Sequence, residues 1–103
     1  MKMIGGTLIV IVSEYIAENY KIGDRVYCCE IERSSCYGIE FGINNGRIWR
    51  LTIFDINDLQ HHMLAEYRSG WITEPVNLEV AKVCDSLIEK YNYYNPILRE
   101  CKY

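Results

Sequence analysis

Proline is scarce in this 103-residue chain, at two, glycine is no more than ordinary at seven, and phenylalanine and histidine number only two each. These counts exclude a collagen-like or low-complexity chain. Long apolar stretches are missing too. The best of them, Thr7 to Val12, falls far short of the roughly 20 residues that a membrane helix requires. Ser13, Glu14 and Glu18 follow it without a small-residue cleavage site, so it reads as a buried strand and not a signal sequence. The protein is expected in the cytosol, with no membrane partner. Neither sign of charge is in large excess: eleven Lys and Arg face fourteen Asp and Glu, a net charge of −3. A duplex nucleic-acid binder needs clustered cations to neutralise phosphates. An acidic nucleic-acid mimic needs dense carboxylate rows, and the sequence has neither.

Motifs that carry chemistry are equally thin. The five cysteines, Cys28, Cys29, Cys36, Cys84 and Cys101, are odd in number and include one adjacent pair. That is no disulfide framework, and no Cys-x-x-Cys pair offers a zinc site. Neighbours on a strand point to opposite faces, so Cys28 and Cys29 do not act together. Free buried thiols are expected, with no metal and no cofactor. Ser34, Ser35 or Cys36 with His61 or His62 and Asp55 or Asp58 supply the residue types of a triad. Nothing supplies a nucleophile elbow or an oxyanion amide, so no catalytic residue is assigned. Gly42 and Gly46 precede a strand, which rules out a phosphate loop opening a helix.

What is present describes one small globular domain, half apolar and 24% charged. A chain of this size buries roughly 60–70% of the surface its unfolded form exposes, enough for one modest core. Residues 7–68 read mainly as a β meander. Thr7 to about Tyr15 is a first strand, and Arg25 to Glu32, after the Gly23-Asp24 turn, is a second. There Val26, Cys28 and Glu30 alternate with Tyr27, Cys29 and Ile31. Tyr37 to Gly42 is a third strand, Asn44-Asn45-Gly46 a tight reversal, and Arg47 to Phe54 a fourth strand with Trp49, Leu51 and Ile53 on its core face. Met63 to Arg68 is a fifth. From Asn77 to Tyr91 the apolar residues Val80, Val83, Cys84, Leu87, Ile88 and Tyr91 recur at helical spacing, with Asn77 as the cap. The expected fold is α+β: a four- to five-stranded antiparallel sheet covered by one C-terminal amphipathic helix.

Beyond it, residues 92–103 form a tyrosine-rich tail. Tyr91, Tyr93, Tyr94, Ile97 and Leu98 combine apolar area with polar tips, which suits either packing back on the sheet or a homo-oligomer interface.

The densest cluster of informative residues runs through Gly42-Ile43-Asn44-Asn45-Gly46-Arg47-Ile48, Arg50-Leu51 and Tyr67-Arg68-Ser69-Gly70-Trp71. On a regular strand Arg47 and Arg50 point to opposite faces. A guanidinium beside aromatic rings suits a nucleotide, with bidentate contacts to the phosphate and stacking on the base, and amides near Gly42, Asn44 and Gly46 add donors. Arg47, Arg50, Tyr67, Arg68, Trp71, Gly42, Asn44 and Gly46 are therefore the candidate ligand-binding residues. The plainer alternative makes Trp71 core, pairs Arg68 with Glu66 or Glu74, and gives Gly46 only to the turn.

These blocks resemble a family of small uncharacterised proteins from Firmicutes and their phages and mobile elements. Its pattern is a Gly-Ile, an Asn/Gly turn, Gly-Arg-Ile, a basic residue before Leu, and Tyr-x-Arg-Gly-Trp before the terminal helix. The resemblance covers roughly residues 20 to 92. The chain departs from it where Ser69 is interposed after Arg68 and where the loop from Asp55 to His62 is long. The resemblance implies a fold and a mobile-element setting, in which counter-defence is a common role for small accessory proteins. Three readings follow. One is a non-catalytic protein that sequesters a small anionic nucleotide. Another is a protein-binding inhibitor of a host defence nuclease or sensor, in the manner of anti-CRISPR proteins. The third is a structural phage protein. The first requires Arg47, Arg50 and Arg68 to converge on a concave pocket; the second requires an exposed apolar patch instead.

Overall fold

A computed structural model of the chain describes residues 2–4, 7–9, 13–35 and 42–92. Strands β1 (Lys2–Ile4) and β2 (Thr7–Ile9) form a two-stranded antiparallel sheet of their own. The main sheet is an antiparallel meander in sequence order: β3 (Ser13–Ile22), β4 (Arg25–Ser34), β5 (Ile48–Asp55), β6 (Ala65–Arg68) and β7 (Trp71–Thr73). One helix, α1 (Leu78–Tyr91), follows. The α+β architecture of a five-stranded antiparallel sheet with one C-terminal helix is therefore as expected. Among the described residues no helix is long and apolar enough to cross a membrane.

Four features differ from the sequence reading. The expected strand from Thr7 to Tyr15 is divided: Thr7–Ile9 belongs to the small sheet, and the main sheet begins at Ser13 and runs on to Ile22. Glu18, Asn19 and Lys21 disguise that second stretch, because an edge strand keeps only one half-buried face. The short strand β7 was not anticipated. Of the expected third strand only Gly42 lies among the described residues. Asn44-Asn45-Gly46 is not a two-residue hairpin: Ile43–Asn45 forms a 3₁₀ turn with Asn44 at φ 51° and Asn45 at φ 57°. Asparagine tolerates that left-handed conformation.

The fourth difference is a bulge. Glu32 pairs with Arg50 but Arg33 pairs with Ile48, which leaves Trp49 as an extra residue. The alternation slips by one there. Ile48, Leu51 and Ile53 are fully buried on the core face, whereas Trp49 is half-buried and its indole N–H donates to the Ser13 hydroxyl, 3.1 Å away. The slip also removes the argument that Arg47 and Arg50 must point to opposite faces.

The helix packs on the face carrying Tyr27, Cys29 and Ile31 of β4, Leu51 and Ile53 of β5, and Ala65 and Tyr67 of β6. Val80, Val83, Cys84, Leu87 and Ile88 supply its side of the core. Each such side chain contributes roughly 1.5–3 kcal/mol when fully buried. The helix starts where Asn77 predicts, its carboxamide oxygen accepting from the Val80 N–H at 2.9 Å. Polar ties fix it to the sheet. The Tyr27 hydroxyl donates to the Glu79 carboxylate, and Lys90 and Tyr91 both donate to Glu18 of β3. Arg33 reaches the Tyr91 carbonyl at 3.1 Å while its other nitrogens hold Glu14. A buried cation at a helix C-terminus is favourably placed against the dipole.

Candidate binding surfaces

The turn that opens β5 is closed by the residue that ends α1. Asn92 is fully buried at the helix C-cap. Its Oδ1 accepts from the Arg47 N–H at 2.7 Å and the Ile48 N–H at 2.9 Å, and its Nδ2 donates to the Ile43 carbonyl at 2.8 Å. The Gly46 N–H is itself spent on the Ile43 carbonyl. Two successive amides aimed at one oxygen are the arrangement expected of an anion site, but the oxygen belongs to the protein. Gly46 is required for the same reason: a Cβ there would lie 2.1 Å from Asn92 Nδ2. Asn44 is exposed at the tip of the turn.

The candidate arginines separate. Arg47 has no exposed surface, and its Nε donates to the Ser34 carbonyl at 2.9 Å. Arg50 and Arg68 are brought together as cross-strand partners on β5 and β6. Arg50, however, is committed: its Nε sits 2.7 Å from Glu32 and Nη2 3.7 Å from Glu30. Burial works against its charge, but the two carboxylates outweigh burial and hold the guanidinium firmly protonated. Arg68 is well exposed, with Glu66 at 4.0 Å. The three do not share a solvent-facing pocket, because Arg47 is sealed inside.

Arg50 and Arg68 lie on the sheet face opposite α1. Across it run two cross-strand rows: Tyr15, Glu32, Arg50 and Arg68, then Ala17, Glu30, Thr52 and Glu66. Glu32 facing Arg50 stabilises the first row, whereas Arg50 meets a second cation in Arg68 on its other side. The small side chain of Ala17 leaves an open depression of about 350 Å³, bordered by Tyr15, Asn19, Cys28, Glu30 and Phe54. Glu32 and Glu30, the partners that occupy Arg50, were not singled out from sequence; their place one register step away on β4 is visible only once the pairing is known.

The last candidates sit at the opposite sheet edge. Ser69 (φ 55°) and Gly70 (φ 153°) make the turn between β6 and β7, with the Arg68 N–H bonded to the Gly70 carbonyl. The interposed Ser69 is thus turn structure, and Arg68 remains the last residue of β6. Trp71 crosses the Tyr67 ring edge-on at 5.3 Å and stays 41% exposed. Ile72, Val76 and Leu78 are exposed as well. Four of the eight residues from Trp71 to Leu78 are therefore large apolar side chains facing solvent. Of the tail residues proposed for self-association, Tyr91 is half-buried against the core; Tyr93, Tyr94, Ile97 and Leu98 lie outside the described residues.

The residue types of a triad are scattered. Ser34 meets Arg47 at one end of the β4–β5 pair, and Asp55 to His62 lie at the other, beyond Val26. Eight residues of strand rise place these ends about 26 Å apart. Asp58 instead organises its own loop: its carboxylate accepts from the Gln60 and His62 N–H groups, which hold it below the ordinary carboxylate range. Burial pushes the Cys29 and Cys84 thiols up to about 12, so neither is a nucleophile at neutral pH. Among the described residues no group of three His, Cys, Asp or Glu side chains could hold a metal ion.

The chain belongs to a family described as a domain of unknown function (DUF7678), whose profile matches residues 21–92. The matched span begins at the end of β3 and stops at Asn92, so it includes the complete Asn92–Gly46 closure. No curated protein and no solved structure matched the chain.

Proposed function

We propose that the chain is a non-catalytic binding protein that works by occupying a surface of another protein, with Trp71 and Leu78 as its apolar anchors and Arg68 at the rim. One observation carries this reading: the exposed apolar side chains concentrated between Trp71 and Leu78, with Arg68 exposed on the other face at the end of the neighbouring strand β6. Tryptophan, tyrosine and arginine are the residue types that dominate binding energy at protein interfaces. The partner that fits is a folded protein with an apolar pocket rimmed by acidic groups. The mobile-element setting implied by the sequence resemblance puts that partner among host defence nucleases and sensors, met in the host cytosol.

Nucleotide capture is the weaker reading. The Arg47 and Ile48 amides are spent on Asn92 and the Gly46 amide on the Ile43 carbonyl, Arg47 is sealed in the interior, and Arg50 is neutralised by two glutamates. Only Arg68 and Trp71 remain available, and both serve a protein partner equally well.

The test is a stoichiometric complex recovered from host lysate on immobilised protein. It is expected to disappear with a Trp71→Ala, Leu78→Ser double variant that melts like the parent, and to persist with Arg50→Gln. A complex indifferent to the double variant would refute this surface. A nucleotide that raises the melting temperature by several degrees would restore the ligand-capture reading, since tight binding to the native state must stabilise it.

A further inference from the structure

The two edges of the main sheet are built differently. At one edge, β7 is three residues long and bulged against β6. Short, irregular edges are how proteins prevent strand addition. At the other edge, β3 runs for ten residues, from Ser13 to Ile22, paired to β4 without a register shift. It contains no proline or glycine. Charged residues are the remaining safeguard for an edge, and two of its three are committed within the chain. Glu14 is bound by Arg33, and Glu18 by Lys90 and Tyr91. Among the described residues no strand pairs with the outer side of β3.

We propose that β3 pairs antiparallel with β3 of a second copy of this chain, around a two-fold axis beside Ala17, joining two five-stranded sheets into one of ten strands. Among the registers that bring no like charges together, this one joins the longest stretch of β3. A two-fold axis perpendicular to the sheet keeps each face on its own side, so only residues of like parity stand opposite. Centred on Ala17, the pairs are Ala17 with Ala17, Ile16 with Glu18, Tyr15 with Asn19, Glu14 with Tyr20 and Ser13 with Lys21. No like charges meet. Centring one residue later sets Glu18 directly against Glu18, which is destabilising. Ala17 is exposed and small, so the backbones can close on each other at the axis. An isologous two-fold contact of this kind is self-limiting and gives a dimer. Both helices fall on one face of the joined sheet. On the other face the two depressions bordered by Tyr15, Ala17 and Asn19 meet across the axis to form one continuous groove.

The test uses the full chain and light scattering coupled to size exclusion over a range of concentrations. The parent is expected to be a dimer. Ala17→Asp and Ala17→Lys each place like charges at the axis, and each is expected to weaken dimerisation at least roughly tenfold, about 1.4 kcal/mol. Circular dichroism should match the parent, because the position is exposed, and the melting temperature should fall only by what lost dimerisation accounts for, the gap closing as the parent is diluted. Mixed in equal amounts, the two variants should recover a dimer, since aspartate then faces lysine. Ala17→Cys should form an interchain disulfide under mild oxidation, because directly opposed strand residues fall within disulfide reach. A monomeric parent overturns the proposal. So does a dimer that survives both charge variants, which would place the contact elsewhere, such as the tyrosine-rich tail.

Discussion

Removing the Asn92 side chain tests whether the glycine–arginine turn is structural, and the test is sharpest as a double-mutant cycle. Asn92→Ala leaves two buried backbone N–H groups without partners, those of Arg47 and Ile48, and takes from the Ile43 carbonyl one of its two donors, the Gly46 N–H remaining. At about 1–3 kcal/mol for each unsatisfied group, less what entering water restores, the expected loss is about 3 kcal/mol. For a domain of this size that lowers the melting temperature by roughly 12–24 °C. Gly46→Ala attacks the same contact from the other side. Its Cβ would need the space 2.1–2.3 Å from the Asn92 carboxamide, so the carboxamide must leave and its three bonds break. The two losses are therefore one loss. In an Asn92→Ala background the further cost of Gly46→Ala should fall by about 2 kcal/mol or more, well beyond the ~0.5 kcal/mol within which independent sites add. Urea unfolding of the four proteins, with the slope checked for constancy, measures the coupling. Additive costs would show that Gly46 is held for a reason other than Asn92.

Other outcomes follow from the same geometry. Arg47→Ala should destabilise the fold by about 2 kcal/mol or more, because it empties a fully buried site, whereas Arg68→Ala should change stability by less than ~0.5 kcal/mol; thermal melts separate them. Asn77→Ala should cost about 1 kcal/mol by uncapping α1, and Asn77→Ser should restore most of it. Alkaline pH should weaken the fold: Cys29 and Cys84 ionise near 9 when unfolded but only near 12 when folded. Above pH 9 the unfolded state therefore holds fewer protons, and stability falls as pH rises, by about 1 kcal/mol per thiol at pH 10. Urea midpoints at pH 8 and pH 10 check the sign. Iodoacetamide with peptide mapping at pH 7.5 should label Cys28, half-buried, ahead of Cys29 and Cys84.

Where periodicity was strong, the fold was legible. Val80, Val83, Cys84, Leu87 and Ile88 recur on one helical stripe, and that stripe is buried; Asn77 caps the helix it precedes. Tyr27, Cys29 and Ile31 alternate, and all three are in the core. Misreadings arose where a local rule met a long-range contact. Trp49 has the parity of Leu51 and Ile53, but a bulge opposite Glu32 hands its place to Ile48. The stretch from Ile16 to Ile22 is not assigned from sequence; its Glu18 is held by Lys90 and Tyr91, more than 70 residues away. Arg50 looked available because its carboxylates arrive from a different strand. Sequence spacing cannot display such partners, since each is created by pairing.

The turn from Gly42 to Ile48 carries the fullest lesson. Glycine for close approach, consecutive amides and a following arginine are the features by which an anion site is recognised, and all are present. They are also the features by which a chain accepts an internal side chain at a crowded junction, because a carboxamide oxygen makes the same demand on two amides as a phosphate oxygen. What distinguishes the two cases is whether an internal acceptor of the right reach is fixed nearby. Here the helix stops at the residue whose side chain fills the turn, so the length of α1 and the glycine at position 46 answer one constraint. Residues recruited to close the fold are not available to a ligand. The surface left over for recognition is what closure does not use: the exposed segment from Trp71 to Leu78 and the outer side of β3.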